Sequence, residues 1–390
     1  MDAIISQIQA LAQDTDEAGR LNIIQSLQIA KIDIQSPQDT FIELAVPGLT
    51  SAMLRISADL GLFRSLAESD ASLTVTKIAE LTRASPQFLE RILRYLAATH
   101  IIKETGINEY MANRITHALA DPMGEAMIYH GFDMIGPVVQ AMPAFFSENN
   151  YQDVTVNTNT PFQKAHGTNL TPFDWLVQQP KHFDNLQKIM TALQGSEWTE
   201  GFTLLNDEAR KVPSKGPSTI QTSEKPFFVD VGGGHGHQCI ELGKKYPNLL
   251  GHLVLQDLPE AVKNLAPIDG VKAEAYDFFR PQPIIGAKFY YLRRIMHDWP
   301  DDKAATILRN IRAAMGPDSR VLIDDAVLPD TGANWKSAMA DLAMMTFAGK
   351  ERTKYQWESL AESAGLRVEQ IHTYVASTYT AVLVLVAAMN

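Results

Sequence analysis

The sequence predicts an α/β protein in which an N-terminal helical region precedes a doubly wound, Rossmann-like sheet. Three observations support this fold class. In roughly the first half of the chain, apolar residues recur at three- and four-residue steps, which is the helical period. Later, short apolar runs rich in β-branched and aromatic residues alternate with helical segments, as in parallel sheets covered on both faces. Where the first run ends, the segment DVGGGHGH predicts a sharp turn from strand into helix.

Composition limits the classes of protein to consider. The chain has 390 residues, of which 45% are hydrophobic and 20% charged, as in folded globular proteins of two or three domains. Its net charge of −11 disfavours a protein that coats nucleic acid or an anionic membrane. A single cysteine, Cys239, favours a reducing compartment. The N-terminus lacks a basic signal region and no apolar run is long enough to span a bilayer, so we expect a cytoplasmic protein.

The first predicted domain, residues 1–121, is helical and ends in a small wing. Residues 1–34 show the pattern of two amphipathic helices, and three shorter helical patterns follow between residues 51 and 102. Ser85 and Pro86 precede the last of them, which is typical of an N-cap followed by proline in the first turn. Residues 103–119 are expected to form a turn-and-strand wing. The whole predicts a winged-helix domain, and its amphipathic helices predict a homodimer.

Two further domains are predicted. Residues 122–215 continue the helical pattern, and the segment PFQKAHGTNLTPFDWL has the aromatic and small residues suited to a substrate pocket. The polar stretch EARKVPSKGPSTIQTSEKP, residues 208–226, is expected to be a linker or exposed loop. Residues 216–390 then form the sheet domain. Its predicted strands are the runs FFVDV, HLVLQD, VKAEAYDFF, KFYYLRR, RVLIDDAVL and YTAVLVLVA.

The glycine-rich turn indicates the class of cofactor. The dinucleotide fingerprint G-x-G-x-x-G fails here, because its last position is occupied by His237 or Cys239, depending on the starting glycine. The spacing D-x-G-x-G-x-G fits instead, from Asp230 to Gly236 through Gly232 and Gly234. It suits S-adenosylmethionine (SAM), whose amino-acid end and ribose would lie over the turn without a pyrophosphate.

Acidic residues end the next two predicted strands. Asp257, followed by Leu258, ends the second strand and could accept hydrogen bonds from both ribose hydroxyls. Asp277 and Phe278 end the third strand, offering a carboxylate and a flat ring for an adenine. Each feature alone is typical of an ordinary turn or a solvated carboxylate. Because ligands bind at the carboxyl ends of parallel strands, the three together predict one cofactor site.

These motifs resemble those of the plant-type (class I) SAM-dependent O-methyltransferases, and the sequence looks like a fungal member of that family. The resemblance covers nearly the whole chain. In chain order the matching segments are LERILRYLAATHII, PFQKAHG, DVGGGHGH, LVLQDLP, YDFF, YLRRIMHDWPDD, LIDDAVLP and GKERTKYQWESLAESAGL. The resemblance implies an N-terminal half that intertwines two subunits and a C-terminal sheet that binds SAM.

The resemblance also implies the reacting residues. His297 is implied as the general base for the acceptor hydroxyl, and Asp325 and Glu351 as the carboxylates that flank it. Asp325 is one methylene shorter than the glutamate of many members, so Glu351 is the expected orienting partner. Arg293 matches a basic position near the cofactor, although Arg294 could equally point inward. A histidine pKa near 6.5 lies about 3.5 units below that of a phenol. The alignment of His297 with the acceptor hydroxyl should therefore contribute more to the reaction rate than the basicity of the imidazole.

The remaining expectations concern the substrate and its pocket. The predicted pocket residues are His130, Met134, Phe162, Phe173, Met344 and Phe347. No metal-ligand spacing is found. The predicted activity is methyl transfer to a phenol or enol of a small aromatic or polyketide-type secondary metabolite.

Two alternatives remain open at this point. Some fungal relatives use bound SAM as a fixed positive charge for pericyclic or dehydration chemistry, although the retention of His297, Asp325 and Glu351 argues against that activity here. A DNA-binding regulator is the second alternative. It would use Arg91 and Arg94 of the winged helix, but the segment around them is dominated by apolar positions and the net charge is negative.

Overall fold

The computed structural model describes residues 1–192, 195–213, 225–263 and 265–388. The chain divides into two units, the first comprising Met1–Ala144 and Gln163–Leu193, the second Phe145–Phe162 and Gln194–Asn390. The division into domains at residues 121 and 215 stays a prediction, and the second of these boundaries lies outside the described residues.

The first unit is built from helices and one small sheet. Its helices are α1 Asp2–Gln13, α2 Glu17–Ile34, α3 Pro37–Ala45, α4 Pro47–Asp59, α5 Leu62–Ala67, α6 Val75–Thr82, α7 Pro86–Ala98, α8 Arg114–Ala120, α9 Pro122–Tyr129, α10 Gly136–Glu148, α11 Pro161–His166, α12 Pro172–Val177 and α13 Pro180–Ala192. A π-helix, His130–Ile135, joins α9 to α10. The last four residues of α10 and the first two of α11 belong to the second unit. Strands β1 Leu73–Thr74, β2 Lys103–Gly106 and β3 Glu109–Met111 pair antiparallel in the order β1-β3-β2.

Helix α7 forms where the sequence predicts it. The Ser85 hydroxyl accepts a hydrogen bond from the Phe88 amide, and Pro86 occupies the first turn. The buried face of the helix consists of Leu89, Ile92, Leu93 and Leu96, at helical spacing.

The predicted wing is shorter than residues 103–119. Strands β2 and β3 form it, but α8 begins at Arg114 because Asn113 and Thr116 make a reciprocal capping box. The helix therefore replaces the second half of the expected turn-and-strand segment.

The N-terminal helices α1 and α2 confirm the prediction of two helices within residues 1–34. Within the described part of the chain, α1, α2 and α3 contain no buried residue. Large apolar side chains on them stay exposed, among them Ile4, Leu11, Ile24, Leu27 and Phe41. An extended apolar surface of this kind is typical of a protein–protein contact.

The second unit contains the large sheet. Its helices are α14 Thr203–Lys211, α15 His237–Lys245, α16 Pro259–Lys263, α17 Asp301–Ala314, α18 Trp335–Met345 and α19 Lys354–Ser363. Its strands are β4 Phe228–Val231, β5 Leu253–Asp257, β6 Val271–Ala275, β7 Phe289–Arg293, β8 Arg320–Leu328, β9 Arg352–Thr353, β10 Leu366–Val375 and β11 Thr380–Ala387. The expected linker is wrong at its start, because residues 208–211 end α14, while residues 214–224 lie outside the described residues.

The strand order is β6-β5-β4-β7-β8-β11-β10, with β9 beside β8. Strands β6 to β8 are parallel, which confirms the predicted doubly wound sheet. Strand β11 runs antiparallel to both of its neighbours, β8 and β10, contrary to the predicted parallel sheet, because a tight turn joins it to β10. Chain order reverses between β4 and β7, and doubly wound sheets bind ligands at such a switch point.

Both faces of the sheet are buried. One face, including Val229, Tyr290 and Ile323, packs in the cluster that also contains residues of α17 and α19. The other face, including Phe228 and Leu322, packs with residues of α14 and α15. Burial on both faces explains why these strands have continuous apolar sequences.

Among the described residues, no single helix has the length and hydropathy needed to cross a bilayer. Helices α3 and α4 together meet the length and composition that a membrane span requires, but they are bent by 47° at their junction.

Candidate active site

The turn after β4 requires its glycines. Gly232, Gly234 and Gly236 have φ angles of 75°, 55° and 77°, in the left-handed region that disfavours other residues. A Cβ on Gly232 would lie 2.6 Å from the Cδ1 of Ile295, and one on Gly233 would lie 2.5 Å from the Asp230 carboxyl. Gly232 and Gly233 are therefore packed against Ile295 and Asp230, whereas the Cβ position of Gly234 is open, with no atom of the described residues within 4 Å.

Asp257 is tied to this turn from the end of β5. One carboxylate oxygen accepts a hydrogen bond from the Gly234 amide at 2.8 Å, and the other accepts from the Leu258 amide at 2.7 Å. Each carboxylate oxygen has more than one lone pair, so both retain capacity to accept a hydrogen bond from a ligand.

Asp277 and Phe278 lie just past the end of β6, as Leu258 lies just past the end of β5. The Asp277 carboxylate accepts a hydrogen bond from the Phe279 amide at 2.9 Å, which fixes the turn. The ring of Phe278 packs edge-on against Trp299, with centroids 5.8 Å apart, and lies 3.9 Å from the Cβ position of Gly232. The predicted cofactor residues of β4 and β6 therefore lie at one edge of the sheet.

Asp230 is buried beneath the glycine turn. Burial and the nearby charge of Asp257 raise the pKa of its carboxyl to about 7, although the Arg293 guanidinium opposes both effects. The carboxyl therefore binds protons more readily than an exposed aspartate.

Arg293, at the end of β7, points into the unit. Its side chain is 12% exposed, donates a hydrogen bond to the Gly195 carbonyl at 2.8 Å and lies 3.5 Å from Asp324. Arg294, the alternative basic residue, has a φ of 52° where the chain leaves the strand.

Asp324 is a buried carboxylate that sequence reasoning missed. It lies on β8 and accepts hydrogen bonds from the hydroxyls of Tyr291, at 2.5 Å, and Tyr374, at 2.6 Å. These donors and the Arg293 guanidinium compensate a charge that could not otherwise stay buried. Because successive strand residues point to opposite faces, Asp325 projects to the other side of the sheet.

On that other side, His297 lies in the short turn Met296–Asp298 that follows β7. Its side chain is 15% exposed. Its Nδ1 lies 2.9 Å from Oε1 of Glu351 and 3.8 Å from Oδ1 of Asp325. Its Nε2 lies 3.5 Å from Oδ1 of Asp298. Three carboxylates therefore surround one imidazole.

The two flanking carboxylates differ in their contact with His297. Glu351 is within hydrogen-bond distance, whereas Asp325 interacts only as a charge, as its shorter side chain would require. Neither oxygen of Asp325 has a hydrogen-bond partner among the described residues. Asp298 is the third carboxylate, which sequence reasoning missed because an aspartate before Pro300 is also typical of a helix start.

This charge arrangement changes the basicity of His297. Burial by itself would lower the pKa of the imidazole, but the charges of Asp325 and Asp298 and the hydrogen bond to Glu351 reverse this and raise it to about 10. Burial and, to a smaller extent, the charge of Glu351 raise the pKa of Asp325 to about 7 and that of Asp298 to about 6, against the lowering effect of His297. The expected mismatch with a phenol, about 3.5 pKa units, therefore disappears in the folded protein.

The raised pKa predicts a pH dependence. Below pH 10 the imidazole is mostly protonated, and a base must first lose that proton, so kcat should rise about tenfold per pH unit from pH 7 and level off near pH 10. In Glu351→Gln the lost charge should move the plateau to lower pH. Both enzymes are to be assayed with the same acceptor, so that its own ionisation is common to both profiles. A wild-type profile that is flat above pH 7 would contradict the raised pKa.

The six predicted pocket residues are divided between the units. His130, Met134 and Phe173 lie in the first, and Phe162, Met344 and Phe347 lie in the second. Met134 and Phe162 are buried, whereas Phe173 is 49% exposed. The Nδ1 atom of His130 is buried and has no hydrogen-bond partner in the described part of the chain. Their grouping around one substrate stays a prediction.

Comparison with known families gives two matches. The family model of the O-methyltransferase domain matches residues 150–367, and that of the O-methyltransferase dimerisation domain matches residues 43–120. The demethylsterigmatocystin 6-O-methyltransferase of Aspergillus flavus is 40% identical over 388 residues, covering 99% of this chain and 98% of that protein.

Solved structures give a second comparison. The structure of LepI in complex with SAM has a TM-score of 0.87 at 36% identity, covering 99% of this chain and 98% of that one. A structure described as a pericyclic reaction enzyme matches equally well. OxaC in complex with sinefungin and meleagrin has a TM-score of 0.81 at 26% identity, with the same coverage.

Proposed function

Because the chain belongs to the O-methyltransferase family, we propose that it transfers the methyl group of SAM to a phenolic or enolic hydroxyl, with His297 as general base. The acceptor class is a small aromatic or polyketide-type secondary metabolite. The observation that supports this most directly is the position of His297. It follows β7, the strand next to β4, and Ile295, two residues before it, packs against Gly232 of the glycine turn.

The residues present fit the cofactor. A side chain at Gly234 would project into open space over the turn, where no atom of the described residues lies within 4 Å, and the left-handed φ angles of Gly232, Gly234 and Gly236 keep the turn tight. The residues that would hold SAM are Asp230, Gly232, Gly234, Gly236, Asp257, Leu258, Asp277, Phe278 and Arg293. When bound, SAM supplies a methyl group already activated on a sulfonium. The protein therefore needs only to position the acceptor oxygen and remove its proton.

His297 is suited to that proton removal. In the neutral imidazole, a hydrogen bond from Nδ1–H to Glu351 fixes the tautomer in which Nε2 can accept a proton. The surrounding carboxylates then stabilise the imidazolium that forms. One imidazole would therefore take the proton that the acceptor hydroxyl loses as its oxygen is methylated, with no further base required.

The test of the function measures SAM consumption and acceptor methylation in the same reaction. The purified enzyme is incubated with SAM and demethylsterigmatocystin, the acceptor in the name of the 40% identical relative, and with a panel of phenolic polyketides. We expect S-adenosylhomocysteine and methylated product in equal amounts. Absence of methylation across the panel, with SAM bound, would contradict the proposal.

Pericyclic or dehydration chemistry is the second candidate, and the similarity to LepI and to the pericyclic reaction enzyme favours it. There SAM would act as a fixed positive charge. His297 with Glu351 and Asp325 supports methyl transfer over a pericyclic step, because a pericyclic step transfers no proton and needs no base. Product formation with unchanged SAM would identify the second candidate.

The dimerisation-domain match supports a homodimer, and the exposed apolar residues of α1, α2 and α3 support its location. Sedimentation at micromolar concentration should give the mass of two chains. Ile24→Asp combined with Leu27→Asp should shift the protein toward monomer, because buried unpaired charge opposes association. Asn22→Asp, which adds a negative charge on the opposite face of α2, serves as the control. A wild-type monomer would contradict the proposal.

The net charge of −11 and the single thiol support a cytoplasmic enzyme that binds neither nucleic acid nor membrane.

A further inference from the structure

Arg352 is a fully buried arginine next to Glu351. Its exposed fraction is 0%, although a guanidinium is charged at every physiological pH and is costly to bury without partners. It lies in the short strand β9, which pairs with Val327 and Leu328 of β8. A residue of this kind persists only where its hydrogen bonds are satisfied.

The partners of Arg352 lie on both sides of His297 in the chain. Nη1 donates a hydrogen bond to the Met296 carbonyl at 2.9 Å, and Nη2 donates to the Trp299 carbonyl at 2.8 Å. Nε donates to a carboxylate oxygen of Asp301 at 2.9 Å, which supplies the opposite charge. One planar group therefore joins the two ends of the turn that carries His297.

We propose that Arg352 is a positioning residue that fixes the backbone of the His297 turn, while its neighbour Glu351 fixes the imidazole ring. The proposal rests on the proposed role of His297. Because Arg352 and Glu351 are consecutive in one extended segment, any displacement of that segment moves both. Arg352 thus holds the backbone on both sides of His297, and Glu351 holds Nδ1 of its ring.

Lysine cannot replace this arginine. The guanidinium offers five donors in a rigid plane, which matches two carbonyls and one carboxylate at once. An ammonium group keeps the charge but is a compact point donor on a flexible chain. Arg352→Lys should therefore retain the ion pair to Asp301 and lose the connection between the Met296 and Trp299 carbonyls.

The experiment compares Arg352→Lys with wild type by two readouts. With saturating SAM and an acceptor that wild type methylates, kcat should fall about 10- to 100-fold, because a displacement of a catalytic group by about 1 Å can cost that much. The Kd for SAM should change less than twofold. In NMR spectra of protein labelled at histidine, the His297 resonance should titrate about one pH unit lower, because the carboxylates around it move away. The resonance is identified by its loss in His297→Ala.

Two further variants make the result decisive. Lys350→Met is the matched control: it removes the other cation paired with Asp301, at 2.6 Å, and should leave both readouts unchanged. Asp301→Asn removes the carboxylate that orients Arg352, so both readouts should move in the direction seen for Arg352→Lys. If Arg352→Lys does not fold, Asp301→Asn alone decides the outcome.

Folded variants with wild-type kcat and a wild-type His297 titration would overturn the positioning role. The titration needs no acceptor, so it tests Arg352 even if wild type methylates nothing. Failure of the proposed function would appear in the wild-type enzyme, and failure of this inference only in the variants.

Discussion

His297→Ala is expected to lower kcat by about two to four orders of magnitude, the range for losing a general base. The alanine leaves the acceptor hydroxyl without a proton acceptor and leaves Asp325, Asp298 and Glu351 without their shared cation. SAM binding should change less than twofold, because the glycine turn and Asp257 do not contact the imidazole. Turnover and calorimetric SAM affinity are to be measured on the same preparation.

His117→Ala is the matched control, since His117 is an exposed histidine of α8. It should retain wild-type kcat. Unchanged methylation in His297→Ala would remove His297 from the mechanism. A large loss of SAM affinity in that variant would instead assign His297 to the cofactor site.

Gly349→Ala is expected to lower kcat by about a hundredfold through the backbone of the same turn. The added Cβ would overlap the His297 carbonyl oxygen and lie 3.2 Å from the Asp298 Cα. Backbone atoms cannot rotate away as a side chain could, so the turn must shift by about 1 Å to restore normal contact. We expect KM for SAM to remain near that of wild type.

Gly316→Ala controls for the loss of a glycine in the same unit. Its Cβ would meet the Gly286 Cα at 3.5 Å, an ordinary contact, so activity should be retained. Melting temperatures of both variants separate local displacement from unfolding. Wild-type kcat in Gly349→Ala would show that the His297 turn tolerates displacement.

The sheet was predictable to the extent that its strands are buried on both faces. The runs at β4, β5, β7 and β8 are continuous and apolar, and each forms a strand at the expected place. Strand β10 was missed because its sequence, LRVEQIHTYV, mixes polar and apolar residues as an edge strand does. The π-helix at His130–Ile135 has no sequence signature, since its register depends on packing.

The candidate site was predictable where motifs place residues at strand ends. His297 and Glu351 are 54 positions apart in sequence, and their approach in space follows from the family resemblance and not from spacing. The three residues that sequence reasoning missed, Asp298, Asp324 and Arg352, are of charged types that usually lie on the surface. Their importance depends on burial, which composition does not reveal.

The adjacent aspartates of β8 limit how this protein can vary. Asp324 faces the tyrosines and Arg293, whereas Asp325 faces His297. Deleting one residue ahead of them would place Ala326 beside the imidazole, and inserting one would place Ile323 beside Arg293. Diversification of substrate range must therefore proceed by substitution or by changes in loop length elsewhere, because an insertion or a deletion in this strand would remove a carboxylate from one half of the site or the other.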